Sequence, residues 1–298
     1  MSVLTVFALK AYTTSVFATD EPAEPRQINM QISPAYQRLG ELTPGDRYSS
    51  KFTIINSGDS DLEYKVYTTG YTVSDGDYKA SFPENTSTFT TIQKWFKFSE
   101  TEGTLKAKDR KEIEYTVTVP KDAPGGGQYA AIMIETTSGE GSVISANARA
   151  GLVVYSTVLG DNVSCNEISN ISASGFLMSP PISVATTIKN CGNIESSATY
   201  TLTVNSIFGK EVYSNSAEPD VRTILPNTSR LNIVKWEETP IFGIYKVRLK
   251  VEVPGEVKEF EKLVFICPIW VFIIVILLIG FIVFMIIVRK RKHVRVIE

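Results

Sequence analysis

The chain has 298 residues, 43% hydrophobic, 21% charged and 10% aromatic, a globular composition that excludes wholesale disorder. Its 30 basic and 32 acidic side chains leave a net charge of -2, which argues against the broad basic face of a nucleic-acid binder. The one histidine, His293, lies in a basic run near the C-terminus, so no histidine-based active site or His-ligated zinc is available upstream.

The chain opens MSVLTVFALKAYTTSVFATD. Val3 to Leu9 is a short apolar run, and Val16-Phe17-Ala18 places small residues before a cleavage point. Residues 1–18 therefore read as a signal peptide, with Lys10 interrupting the apolar stretch. Residues 19–26 are Glu/Pro-rich and read as a leader.

From residue 27 onward the chain alternates in period 2, as half-buried strands do. Glu112 to Val119, Gln128 to Glu135, Thr199 to Val204 and Tyr245 to Val253 are examples. Turns rich in Gly, Pro, Asn and Asp separate them. The expected fold is all-β: two tandem immunoglobulin-like β-sandwiches, residues 27–160 and 164–262, followed by one C-terminal transmembrane helix.

An internal repeat supports two sandwiches. Asn56-Ser57-Gly58 and Asn190-Cys191-Gly192 both follow a strand, and Asn and Gly tolerate the positive φ of a tight turn. Pro124 to Tyr129 and Pro240 to Tyr245 both spell P-x-x-G-x-Y. Asn56 lies 68 positions before Pro124, and Asn190 only 50 before Pro240, so the first half carries 18 extra residues. Tyr71 to Phe98 is the expected site of that insertion. It is either a binding loop on a rigid scaffold or a longer hairpin covering one sheet. Tyr71, Tyr78, Trp95 and Phe96 are its candidate ligand-binding residues. For Trp95 a core position is the usual finding, and a glycan-stacking platform is the sharper alternative.

Cys165 and Cys191 fall in the second domain and are expected to pair as a disulfide in an exported protein. Asp59, Asp61, Asp75 and Asp77 sit in acidic turns. These read first as Asx turns, with calcium as the weaker alternative, because no bidentate glutamate follows at the required spacing. No other metal site and no cofactor is expected. Gly125-Gly126-Gly127 lacks the Lys-Ser/Thr of a phosphate loop and reads as a turn permitting close backbone approach. No carboxylate pair or Ser-x-x-Lys helix stands out, so the expectation is a protein that is not an enzyme.

Residues 263–288 contain no charge and are long enough to cross a bilayer as a helix, with Trp270 as an interfacial anchor. Arg289, Lys290, Arg291 and Lys292 follow as a stop-transfer run within a basic tail, 289–298. The positive-inside rule puts that tail in the cytoplasm and the N-terminal side outside, in a single-pass plasma-membrane topology. Setting aside the tail, with five basic residues and one acidic, and Lys10 of the leader leaves 24 basic and 31 acidic residues. The exported part thus has a net charge of -7, too acidic to bind an anionic polymer by bulk charge.

One ordered set of motifs adds a resemblance. Ile32-Ser33-Pro34, Leu42 to Asp46, Asn56 to Asp59, Leu105 to Lys108 and Val119 to Gly126 with Tyr129 occur in sequence. Over residues 28–137 this resembles the N-terminal peptidoglycan-binding domain of the WxL-interacting proteins of Gram-positive bacteria. The order of signal peptide, two immunoglobulin-like domains, span and basic tail is similar as well. Domain two shows no clear match to the family's second domain. The resemblance implies a bacterial cell-surface protein whose first domain binds peptidoglycan or a WxL-type surface protein. The rival expectation is a structural or secretion-accessory subunit that pairs with another chain by strand addition. A surface hydrolase is the third and least supported.

Overall fold

The computed structural model describes residues 29–137 and 148–294. The signal-peptide expectation, the leader and the last residues of the tail lie outside the described residues.

The first sandwich contains β1 (Met30–Ser33), β2 (Tyr36–Leu42), β3 (Arg47–Asn56), β4 (Leu62–Gly70), β5 (Thr72–Val73) and β6 (Ala80–Ser81). After a 3₁₀ turn, Thr91–Lys94, it continues with β7 (Phe96–Phe98), β8 (Glu102–Leu105), β9 (Arg110–Thr118), β10 (Gly126–Thr137) and β11 (Arg149–Val158). One sheet runs β1-β3-β9-β7 and the other β2-β11-β10-β4-β8. The pair β1 and β2 splits the first strand position between the sheets, and β2 lies parallel to β11. This is an immunoglobulin-like sandwich.

Alternation decides which side chains meet between the sheets. Along β9, Ile113, Tyr115 and Val117 are buried while their neighbours face outward. Phe52 and Ile54 from β3, Ile132 and Ile134 from β10, and Leu152 and Val154 from β11 complete the core. Each such side chain stabilises the fold by about 1.5–3 kcal/mol.

The second sandwich contains β12 (Asn166–Ala173), β13 (Phe176–Leu177), β14 (Ile182–Asn190), β15 (Ser196–Ser206), β16 (Glu211–Ser214), β17 (Asp220–Ile224), β18 (Ser229–Trp236), β19 (Gly243–Val253) and β20 (Glu256–Ile266). Its sheets run β12-β14-β18 and β13-β20-β19-β15-β16, with β17 also pairing β15. Again a split first position puts β13 parallel to the last strand. Trp236 is a core residue here, stacked on Tyr213 at 5.6 Å and edge-on to Tyr245 at 5.4 Å.

The two sequence repeats have one structural meaning each. Asn56 and Asn190 are both fully buried at a strand end. The Asn56 side chain accepts from the Gly58 N–H and donates to the carbonyls of Ser60, Leu105 and Lys106. Asn190 accepts from the Gly192 N–H and donates to Ile194 and Ile224. In both domains one amide therefore ties a turn to the far side of the sandwich, and all its partners are backbone groups that would otherwise be buried unpaired. The P-x-x-G-x-Y repeat folds each tyrosine back over the glycine two residues before it. A Cβ at Gly127 or Gly243 would strike the ring or hydroxyl of Tyr129 or Tyr245.

Cys165 and Cys191 form a disulfide with Cα atoms 4.9 Å apart. It joins the chain just before β12 to the end of β14. A Cβ at Gly192 would collide with the backbone of Val163 and Cys165, so glycine is what lets the two segments approach.

Among the described residues there is one α-helix, α1 (Ile269–Val294), which follows the second sandwich. Its segment Ile269–Ile287 is long and apolar enough to cross a membrane by length and composition, and none of that stretch is buried against the sandwiches. The apolar run begins earlier, at Leu263, but its first residues are strand. Val264 and Ile266 of β20 alternate into the second core and pair with β19. Hydropathy alone does not separate a core strand from a span that follows it directly; Pro268 marks the change.

Candidate functional site

The insertion after β4 has two parts. The part from Pro83 to Lys94 is pinned onto β10 by Gln128, which is buried. The Gln128 side chain donates to the Thr88 carbonyl at 2.7 Å and accepts from the Thr91 hydroxyl and the Ile92 N–H. All of its polar groups are satisfied, which makes this segment a rigid cover. Trp95 and Phe96 follow it and pack against the first core, with the Phe96 ring 5.3 Å from Tyr115.

The other part, Tyr71 to Ser81, is a hairpin of β5 and β6 that projects away from the first sandwich. Its tip, Ser74 to Lys79, turns through Gly76 and Tyr78, both at positive φ. The tip docks on the second sandwich. The Gly76 N–H donates to the Ser229 carbonyl at 2.9 Å, and the Leu231 N–H donates back to Gly76 at 3.1 Å. Gly76 thus forms a one-residue parallel bridge on β18, the edge of its sheet. The Asp75 carboxylate accepts from the Ser229 N–H at 2.7 Å. The Tyr78 hydroxyl accepts from the Leu225 N–H at 2.8 Å, and the Arg230 guanidinium lies 4.2 Å from the centre of its ring.

Two further contacts fix the junction. The Gly127 N–H donates to the Asn193 carbonyl at 2.7 Å, and a Cβ on Gly126 would sit 2.7 Å from that oxygen. Asn193 also holds the linker, accepting from the Val163 N–H and donating to the Asp161 carbonyl. Arg38 of β2 pairs with Glu195 while lying 4.9 Å over the Tyr155 ring.

Between these contacts lies a cleft of about 320 Å³, lined by Tyr71, Tyr78, Tyr155, Arg222, Arg230 and their neighbours on β17. Tyr71 and Tyr155 meet edge to face at 5.7 Å, and Tyr155 meets Tyr129 in the same way at 5.9 Å. Burial pushes the phenols up: Tyr78 to about 12, Tyr155 and Tyr129 still further. At neutral pH they are hydroxyl donors and acceptors, not bases. The Tyr129 hydroxyl and Glu195 Oε2 are buried with no hydrogen-bond partner. Phenol rings with guanidinium groups beside them suit an occupant that is part apolar and part anionic.

The structure thus brings Tyr71 and Tyr78 together and leaves Trp95 and Phe96 on the first core. The acidic turns are engaged by protein groups, Asp75 by the Ser229 N–H across the junction. Asp59 pairs with Lys108 at 2.7 Å, Asp61 accepts from the Ala107 N–H at 2.9 Å, and Asp77 pairs with Lys79 at 3.2 Å. Among the described residues, no group of three His, Cys, Asp or Glu side chains is arranged to hold a metal ion. Sequence reasoning missed Arg38, Tyr155, Arg222 and Arg230. They come from four different strands and share no motif: Arg38 and Tyr155 sit on outward faces, whereas Arg222 and Arg230 lie in step with the buried Ile224 and Val234.

No family model and no curated protein matches the chain. The resemblance over residues 28–137 therefore rests on its motifs alone. Among solved structures the chain is similar to the class 5 fimbriae chaperone CfaA, with 12% identity over 78% of this chain and 99% of that one and a TM-score of 0.40. It is also similar to the E. coli chaperone DraB, with 14% identity over 78% and 95% and a TM-score of 0.38. A third is the CsuC-CsuE chaperone-tip adhesion subunit pre-assembly complex of Acinetobacter baumannii, with 12% identity over 78% and 98% and a TM-score of 0.39. At these values the similarities carry no argument about function.

Proposed function

We propose that this chain is a membrane-tethered, non-enzymatic binding protein of the bacterial cell surface whose interdomain cleft holds a segment of a partner protein. One observation carries the reading: Tyr71, Tyr78, Tyr155, Arg222 and Arg230 converge in a cleft whose walls are locked by three separate interdomain contacts. A docked junction is a preorganised site, so little ordering opposes binding. Tyrosine and arginine are also the side chains that dominate binding hot spots. Two arginines line the cleft although the exported part as a whole is acidic; Arg222 is paired with Asp220 at 2.7 Å, and Arg230 lies over the Tyr78 ring. An acidic segment carrying apolar side chains is the matching occupant. The open edge of β18 beside Arg230 supplies backbone groups for strand addition, as Gly76 already demonstrates in miniature.

The test is a photo-reactive amino acid at Val221, an exposed position on the cleft wall, in the full chain in its native membrane. A discrete crosslinked protein, lost when Tyr155→Ala or Arg222→Glu is added, supports the reading. Absence of any crosslink at Val221, with capture instead at Tyr36 on the outer surface, overturns it. The peptidoglycan reading draws on the resemblance of the first sandwich. Sedimentation of the detergent-solubilised chain with wall sacculi checks it, and retention in the supernatant removes it.

A further inference from the structure

The end of the second sandwich from which α1 leaves is unlike the end that meets the first. At the junction end the turns are built from Asp161, Asn162, Gly192, Asn193, Asn227 and Gly255. At the other end three loops expose large apolar side chains. Strand register places them together. Phe176 and Leu177 pair with Phe265 and Ile266, Gly243 pairs with Ile266, and Ser206 pairs with Tyr245. Hence the loop ending in Met178, the hairpin tip at Ile207 and Phe208, and the loop at Ile241 and Phe242 all surround the last residues of β20. Phe208 is 94% exposed, Met178 59%, Ile241 and Ile207 58%, and Phe242 54%.

This patch is continuous with the helix. Only Cys267 and Pro268 separate β20 from α1. The Phe176 ring stands 5.7 Å from Phe265 and 6.2 Å from Phe272 in the first turn of α1, and Phe242 reaches Phe265 at 6.1 Å. The apolar rings thus pass without a break from the sandwich onto the helix. Trp270 in the same turn is the residue type that settles at a membrane surface. Lys210, exposed beside Phe208, can keep its ammonium among lipid phosphates while its stem lies on the apolar patch.

We infer that Phe176, Met178, Ile207, Phe208, Ile241 and Phe242 form a collar that sits in the interfacial layer of the bilayer that α1 crosses. Continuity with α1 selects lipid as the occupant, because a partner covering this end would have to displace the bilayer the helix requires. The inference rests on α1 spanning a membrane and is independent of what the cleft binds. Its consequence is orientation. The collar stops the second sandwich from swinging about Pro268, and β19, 11 residues long, then holds the cleft roughly 35 Å from the membrane.

The test uses the full chain, carrying Cys267→Ala, in vesicles of phosphatidylcholine and phosphatidylglycerol. Spin labels are placed singly at Phe208→Cys, Phe242→Cys, Val257→Cys and Ile279→Cys. The expected result is immersion of the Phe208 and Phe242 labels by about 5–10 Å, shielded from a water-soluble nickel complex and open to oxygen. Val257, at the junction end, stays open to nickel. Immersion of Ile279 with Phe208 and Phe242 as open to nickel as Val257 overturns the collar and leaves the span intact. Failure of Ile279 to immerse removes the span and the collar with it. Hydrogen exchange of the unmodified chain in the same vesicles reads the collar without substitution. Protection of the amides around 207–209 and 241–242, absent from the 254–255 turn, supports it, and equal exchange overturns it.

Discussion

The two sandwiches share a plan and differ at one edge. In the first, β7 pairs with β9 and closes the sheet, with Phe96 and Phe98 half-buried beside Tyr115. The second has no counterpart of β7 beside β18: its β17 pairs with β15 just as β8 pairs with β4 in the first. That leaves β18 as an edge, a row of unpaired backbone groups that proteins normally cover. Here the first domain covers part of it, with Gly76 at the tip of the β5–β6 hairpin. A missing edge strand in one domain and an inserted hairpin in the other are therefore two halves of one device, and the cleft is what remains between them.

The corners show the second difference. Asn56 and Asn190 do the same work, but only the second corner has a covalent brace. The largest expected effect comes from removing the side chain at the unbraced corner. Asn56→Ala strands the carbonyls of Ser60, Leu105 and Lys106 and the Gly58 N–H, and should cost about 3 kcal/mol or more in urea unfolding of the first domain. Asn190→Ala should cost less, because the disulfide still holds its turn. Equal losses would mean that the brace adds nothing at that corner.

Next in size is the disulfide itself. Paired Cys165→Ser and Cys191→Ser changes release a loop closed over 26 residues and should destabilise the second domain by about 3 kcal/mol on the loop-entropy model. The first domain should melt as before. A matching drop in both transitions would show that the junction couples the sandwiches into one unfolding unit.

The smallest effect probes that junction by pH. Burial holds Tyr78 neutral up to about 12 in the folded chain, whereas an exposed phenol ionises near 10. Above pH 10 the unfolded chain therefore gives up its proton first. The contribution of Tyr78 is complete below pH 10 and is lost as pH rises towards 12, by up to about 2 kcal/mol. Tyr78→Phe removes the titration together with the hydrogen bond from Leu225. Thermal melts between pH 9 and 11 should slope for the parent chain and slope less steeply for this variant, in which the other buried tyrosines still titrate. An unchanged slope would assign the alkaline loss to the other buried tyrosines.

Much of this architecture was legible in the residues, and the reasons are local. Period-2 alternation fixes which side of a strand faces the core, so the strands around Ile113, Ile132 and Val247 announced themselves. The repeated Asn-x-Gly and P-x-x-G-x-Y motifs marked turns because few residues tolerate those backbones and approaches. The pairing of Cys165 with Cys191 followed from their being the two cysteines outside the apolar run in a chain read as exported. The apolar run after Leu263 marked the helix, though not its first residue, since a core strand and a span share one hydropathy.

The cleft was not legible in the same way. Tyr71 and Tyr78 drew attention as aromatic residues in an insertion, but nothing in the sequence said that they would face a second domain. Tyr155 lies on an outward face, and Arg222 and Arg230 are charged residues in step with the buried Ile224 and Val234, a placement that alternation does not explain. Whether such a face meets water or another domain depends on long-range pairing: on β18 lacking a neighbour like β7, on Gly76 reaching β18, and on Gly126 letting Asn193 approach. By itself the sequence determined the elements, their core faces and the membrane-length helix, because those follow from local period and turn chemistry. Only the tertiary structure decided the open edge, the docked hairpin and the Tyr/Arg cleft, because each arises from contacts between segments some 150 residues apart, such as Asp75 with Ser229, separated by 154 positions.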